Sequence, residues 1–345
     1  MKLPKKRSKK RIYAMTGGIL GAGIVLAAGI LAWGIYNRQK ENADLAASSD
    51  SMDSENKSST QTVTYQGKEY RYNEHLSNFL FLGIDREGKA ETETGKADAG
   101  QADSIFLASW DRVKGDVAWI TIPRDTMTEI QIFDQEGNPA GTSLQHLNLA
   151  YAFGDGDRES CQLMEDAVSH LFYGLPINGS CALNLDGIPV LAEAADGVTV
   201  TIPDDSLEAV NPRWKKGTEV ILDKETTEVF LRYRDTEQSQ SALKRMEHQK
   251  IFLMALGEKM QKTYKSNPGI AGELYAAMKS YMVTNIGNDQ FLKLMEGLGE
   301  NGITEDWTLP GEGREGTDFD EYYPDDEALY EKIIETFYMV VSTEL

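Results

Sequence analysis

Between Ile12 and Asn37 the chain carries no charged side chain, and the run Tyr13–Tyr36 (YAMTGGILGAGIVLAAGILAWGIY) is 24 residues long. A helix needs roughly 20 apolar residues to cross the hydrocarbon core of a bilayer, so this stretch reads as one transmembrane helix. The eleven residues before it, MKLPKKRSKKR, hold seven basic groups and no acid, which places the N-terminus in the cytoplasm. A cleaved signal peptide is the rival reading, but its apolar core is usually about 7–15 residues, shorter than this one. Tyr13, Trp33 and Tyr36 fall near the ends of the span, where aromatic side chains anchor in the interface. Residues 38–62 are rich in Ser, Asp, Glu and Asn and lack the apolar surface to fold, so they read as a flexible linker. The expected organisation is a cytoplasmic basic tail (1–11), a transmembrane anchor (12–37), the linker (38–62) and an outward-facing domain with an acidic C-terminal extension (63–345). The expected location is the cell membrane, single-pass and type II, with membrane lipid as one partner.

Charge narrows the partners. The formal net charge is −20, and beyond the basic tail it is −27. Residues 305–345 alone hold 13 acidic and 2 basic side chains. Nucleic-acid binding rests on neutralising phosphates, so a nucleic-acid partner is excluded for the bulk of the chain. A hydrophobic fraction of 41% is that of an ordinary folded domain. The two cysteines, Cys161 and Cys181, both fall outside the cytoplasm, where they permit one disulfide or two buried thiols.

The folded part reads as alternating strands and helices. Val63–Tyr72 is a small hairpin around Gln66-Gly67. NFLFLGID (Asn78–Asp85), DSIFLASW (Asp103–Trp110) and DVAWITIPRD (Asp116–Asp125) are strand-like, the last stopped by Pro123. A turn-rich loop follows to Thr142. Helical spacing marks His146–Phe153 and Glu159–Leu171. PINGSCALNL and VTVTIP read as strands and LDGIPVLAEAADG as a helix. A long helical stretch covers Lys224–Leu231 and then Ala242–Lys262. The fold expected is α/β, an α-β-α sandwich. Its central sheet is mixed, because the first three strands follow one another at hairpin intervals.

Several familiar motifs are absent. GIDREGKA has Ala90 where a phosphate-binding loop needs a hydroxyl. The four histidines have no zinc spacing, and no GxSxG elbow occurs. More informative are Asp85, at a strand C-terminus, and Asp103, at the next strand's N-terminus. In antiparallel neighbours both carboxylates reach one sheet edge, where a hard cation such as Mg²⁺ would relieve their repulsion. The plainer alternative is two solvated loop acids. Arg124 and Asp125 follow the strand-ending Pro123. Arg232 and Arg234 lie two apart in FLRYRD and converge only if a helix ends there. Arg245 and Gln249 share one helix face. Grouped arginines near acids suit a phosphate or pyrophosphate; surface ion pairing is the alternative.

The series NFLFLGID, ADSI, ITIPRD, HLNLAYAFG, LDG…ADGV, LRYRD and RMEHQ, in this order across Asn78–Phe252, resembles the LytR-CpsA-Psr family of envelope proteins. The resemblance implies an α/β/α domain that binds a polyprenyl-pyrophosphate-linked glycopolymer and transfers its phosphate to a peptidoglycan hydroxyl. The polymer would be wall teichoic acid, capsule or a similar one. A non-catalytic binding or regulatory module for lipid-linked precursors, or a polyprenyl-pyrophosphate hydrolase, are the alternatives. It further implies that Asp85 and Asp103 attend Mg²⁺ (or Mn²⁺), and that Arg124, Arg232, Arg234, Arg245 and Gln249 bind the pyrophosphate. Arg124 and Asp125 then stand at the reacting centre. The chain departs from the family pattern at His146, where lysine is usual, at His248, where arginine is usual, and in EQSQSALK between the arginine clusters.

Overall fold

The computed structural model describes residues 62–86, 92–184, 187–233, 303–316 and 319–341, with scattered positions between 248 and 301. The anchor expected at 12–37 lies outside them, and no helix among the described residues is long and apolar enough to cross a membrane.

β1 (Thr62–Tyr65) and β2 (Lys68–Tyr72) form the expected hairpin, and β1 takes in the last residue of the expected linker. Its turn residues Gln66 and Gly67 both have positive φ, 48° and 75°, the type I′ geometry that matches strand twist. β3 (Leu76–Asp85), β4 (Gln101–Asp111) and β5 (Val117–Ile122) follow as antiparallel neighbours. The segment read as a turn-rich loop is instead a second hairpin, β6 (Met127–Phe133) with β7 (Pro139–His146). His146 therefore ends a strand, and the helix expected from it shrinks to α1 (Leu149–Ala152). α2 (Arg158–Leu171), β8 (Gly179–Asn184), α3 (Gly187–Ala194) and β9 (Val198–Thr201) come next. Then follow β10 (Glu219–Leu222) and α4 (Lys224–Arg232). α4 opens on a reciprocal Asp223–Thr226 capping box, which satisfies the first free backbone donors. The helix expected at Ala242–Lys262 falls largely on residues outside those described.

The acidic C-terminal part is integral to the domain. After β11 (Met282–Thr284), it contributes β12 (Glu305–Thr308), β13 (Gly311–Glu315), β14 (Asp320–Pro324), α5 (Asp326–Phe337) and β15 (Tyr338–Val340). The central sheet runs β11-β8-β3-β4-β5-β12. β3 is parallel to β8 and β5 to β12, while β3/β4, β4/β5 and β8/β11 are antiparallel, so the sheet is mixed as expected. β15 closes the N-terminal hairpin by pairing with β2.

Strands buried on both faces read as near-continuous apolar runs, and β3 is buried from Leu76 to Ile84, with Ser77 and Asn78 its buried polar positions. Its odd-numbered residues Phe79 and Phe81 pack with Phe106, Trp119, α3 and α4. Its even-numbered residues Leu80, Leu82 and Ile84 pack with Ile120, Ile122, α1, α2 and α5. Helices thus cover both faces. Cys161 of α2 belongs to the second layer and Cys181 of β8 to the first. Both are free thiols, and burial pushes each pKa up to about 12.

Candidate functional site

The strand directions bring the carboxyl ends of β3, β5, β8 and β12 and the amino ends of β4 and β11 to one edge of the sheet. Asp85 ends β3 there. Asp103 reaches the same edge through an irregularity that the sequence does not announce. Gly83 pairs with Ser104, but Ile84 pairs with Ala102, which leaves Asp103 as an extra, unpaired residue in β4. Such a bulge re-aims the side chains around it. Without it, Asp103 would share the face of Ile105 and Leu107, the face of α2. With it, Ala102 takes that place, and Asp103 turns with Ser104 toward the face on which Asp85 lies. Gly100 sets up the approach: its φ is +92°, and a Cβ there would stand 3.0 Å from both Ile84 and Arg86.

Arg124 and Asp125 are the two central residues of a tight turn. Thr126 closes it, its N–H and its hydroxyl both donating to the carbonyl of Pro123, at 3.1 and 2.6 Å. The N–H of Asn148 donates to the Arg124 carbonyl at 3.1 Å, and that of Tyr322 to the Asp125 carbonyl at 2.8 Å. Three successive carbonyls are therefore satisfied, one within the turn and two by distant parts of the chain. The HLNLAYA motif has a positioning role that sequence reasoning missed. Asn148 also accepts from the Ala102 N–H and donates its amide to Gln101, tying the turn to the start of β4. The docking of β14 was missed too, since nothing in a polar, acidic segment marks which distant carbonyl it will cover.

The side chains form one electrostatic cluster. Arg124 Nη1 donates to Asp103 Oδ1 at 2.5 Å, and its Nε lies 3.3 Å from Asp125 Oδ1. Burial opposes the charge of Arg124, yet Asp103, Asp125 and the nearby Asp85 hold its pKa above the ordinary value. Asp125 goes the other way. Burial raises its carboxyl pKa, Asp103 and Asp320 add to the rise, and Arg124 and His146 offset only part of it. His146 meets Phe319 edge-on at 6.3 Å between ring centres.

Asp85, Asp103, Arg124 and Asp125 are thus brought together. α4 does end at Arg232, the condition for Arg232 and Arg234 to converge, and Arg232 Nε lies 3.5 Å from Glu228. Arg234, Arg245 and Gln249 lie outside the described residues. His248 is buried against Phe230 at 5.1 Å, with Nε2 3.9 Å from Asp204, so this replacement sits in the core layer of α4. No group of three or more His, Cys, Asp or Glu that could hold a metal occurs among the described residues. The fit to Mg²⁺ rests instead on two hard carboxylates, Asp85 and Asp103, at one edge. Mg²⁺ is commonly held by one or two carboxylates plus phosphate oxygens and water, so this donor set suits it.

A family model described as the LytR_cpsA_psr family matches residues 35–336. The polyisoprenyl-teichoic acid–peptidoglycan teichoic acid transferase TagU of Bacillus cereus is 25% identical over 316 residues, spanning 91% of this chain and 92% of its own. Among solved structures, TagV of B. subtilis is similar at a TM-score of 0.51 and 23% identity, covering 76% of this chain and 97% of that one. TagT bound to LI-WTA gives a TM-score of 0.52 at 18% identity, covering 76% and 89%. At these identities the two structures speak for a shared fold.

Proposed function

The chain belongs to the LytR-CpsA-Psr family, and from that premise we propose that it is a phosphotransferase. It moves a glycopolymer phosphate from a polyprenyl-pyrophosphate carrier to a peptidoglycan hydroxyl. The observation that carries this reading is the locked Pro123–Thr126 turn, which presents one half-buried arginine to three carboxylates at the sheet edge. The relative TagU is named for the transfer of teichoic acid from a polyisoprenyl carrier to peptidoglycan, which supports both donor and acceptor class.

A pyrophosphate diester carries two negative charges that must be neutralised while an oxygen attacks one phosphorus. The Arg124 guanidinium is a planar fork, so it can keep Asp103 and still offer donors to phosphate oxygens. Arg232, at the end of α4, adds charge from the neighbouring layer; Arg234, Arg245 and Gln249 are assigned to the same task. Asp125, whose carboxyl pKa is raised, is suited to take the proton of the acceptor hydroxyl. The new P–O bond forms to that oxygen, the bridging P–O bond breaks, and polyprenyl phosphate leaves. Asp85 and Asp103 would hold Mg²⁺ (or Mn²⁺), which supplies neutralisation of the phosphate charge. Positioning and charge stabilisation suffice for such a transfer, and no covalent enzyme intermediate is needed.

The test is a Mg²⁺ titration of polymer transfer by the full chain and by Asp103→Asn, with melting temperature as control. The variant should need more Mg²⁺ for half-maximal rate, recover partly at high Mg²⁺ and keep its melting temperature. Metal-independent transfer by the wild type would remove the ion from the mechanism. Release of free polymer into water would make the protein a hydrolase, and retention of lipid without turnover a binding module. The anchor at 12–37 and the basic residues before it support an outward-facing domain. Protease added to intact protoplasts should therefore remove the domain and leave a short stub, and protection of the domain would refute that topology.

A further inference from the structure

On the α2 side of the sheet, at the carboxyl ends of β3 and β8, lies a cavity of ≈ 670 Å³. Ligand pockets commonly span about 300–1,000 Å³, and the carboxyl ends of parallel strands are where open α/β sheets bind ligands. Ile84 lines this cavity, whereas Asp85, the next residue, belongs to the opposite face of β3. The last residues of β3 are thus a wall with the carboxylate–arginine cluster on one side and the cavity on the other. Nothing in the donor-binding reading uses it.

We propose that this cavity binds the acceptor saccharide of the transfer reaction. The inference rests on the transferase reading above and adds to it where the acceptor lies. Ile84, Ala182 and Val283 give the cavity an apolar floor, while Arg158, Asn184 and Tyr281 supply a guanidinium, an amide and a phenol. That mixture suits a sugar ring, whose faces are apolar and whose rim is hydroxyls, and the arginine suits a carboxylate-bearing sugar. An isoprenoid chain is a poor occupant, because it would take the charged Arg158 guanidinium out of water and offer it no acceptor. In-line displacement adds a geometric reason. The attacking and leaving oxygens must stand on opposite sides of the phosphorus. Arg232 comes from α4, which packs on the far face of the sheet. A donor held from that face leaves the rim of the wall open to a hydroxyl that reaches over it from the cavity toward Asp125.

Two exposed positions allow a test without disturbing the core. Arg158 is the first residue of α2 and Ser280 lies in the turn before β11, at the cavity wall. Initial transfer rates would be measured for the full chain in lipid nanodiscs, varying separately the lipid-linked donor and a peptidoglycan tetrasaccharide. Arg158→Ala, which removes one charge-assisted hydrogen bond, should raise the acceptor KM about tenfold. Ser280→Trp, which fills the mouth, should raise it at least as much. Both should leave the donor KM and the melting temperature unchanged. Unchanged acceptor KM in both variants, or a raised donor KM instead, would overturn the assignment while leaving the transferase reading intact. If the wild type transfers nothing, that reading fails, and direct titration with the tetrasaccharide still decides the cavity. Binding lost in Ser280→Trp supports the site, and binding equal in both proteins rejects it.

Discussion

The two ends of the central sheet both bury polar groups, but they treat them oppositely. At the end away from the cluster, the buried carboxylates among the described residues are matched by fixed donors. Glu165 accepts from Ser180 Oγ at 2.5 Å and from Asn285 Nδ2 at 3.2 Å. Asn178 Oδ1 accepts from the Asn78 N–H at 2.7 Å, and Asp111 accepts from the Val113 and Lys114 N–H groups and from Asn73. Burial alone would raise the Asp111 pKa, and these three donors lower it below the ordinary carboxylate value. At the cluster end, three aspartates share one arginine, and Asp125 is pushed up. A structural end minimises its electrostatic cost, whereas a functional end keeps charge that only a ligand can complete.

The sharpest way to break this contrast is Arg124. Arg124→Ala should lower transfer by about 10²–10³-fold, the usual loss on removing a donor aimed at developing charge. Arg124→Lys should lose nearly as much, because the point charge of lysine cannot serve Asp103 and a phosphate together. Melting temperature should barely move for a side chain that is 39% exposed. A fully active Arg124→Lys would reduce the cluster to a surface ion pair.

The opposite end should respond in the opposite currency. Glu165→Ala takes the carboxylate acceptor from the buried Ser180 hydroxyl and from the exposed Asn285 amide, a loss of about 1–3 kcal/mol in unfolding free energy by denaturant titration. Transfer per folded molecule should be unchanged. Reduced turnover at wild-type stability would mean that the two ends are not separate in role.

How much of this contrast the sequence discloses follows from the range of the interactions. β3, β4 and β5 are read correctly because their apolar runs are local signals, and so the meeting of Asp85 and Asp103 at one edge is legible. The face on which Asp103 lies is not, since it depends on a bulge fixed by pairing between β3 and β4. The β6–β7 hairpin reads as a loop because one of its strands, the largely exposed PAGTSLQH of β7, lacks apolar alternation. The acidic tail reads as an extension because its charge hides Trp307, Leu329, Ile333 and Phe337, which it buries in the domain's core. The Arg124 turn is held by Asn148 and Tyr322, 24 and 198 residues away along the chain, and no local pattern predicts such partners.

The smallest effect is a pair of opposite pH dependences. A carboxyl whose folded pKa is depressed stabilises the fold above its unfolded pKa, near 3.9 for aspartate, and that contribution is lost as pH falls through the folded value. Asp111 is such a group. Asp111→Asn should therefore lower the melting temperature at pH 7, with the difference from wild type vanishing in acid. Asp125 has the reverse sign. Its folded pKa lies above the unfolded one, so the wild type loses stability as pH rises from the unfolded value through the folded value. Asp125→Asn removes that loss and should melt slightly higher than wild type at pH 7 and no higher at pH 3. The gain should be small, on the order of 0.5 kcal/mol, because the side chain is 33% exposed and its charge is screened by solvent. The same variant should be impaired in transfer, since an amide cannot take the acceptor's proton. Melting curves at pH 3, 5 and 7 for both variants decide the matter. Equal signs for Asp111→Asn and Asp125→Asn at pH 7 would erase the distinction between the two ends of the sheet, even if Arg124 proved essential.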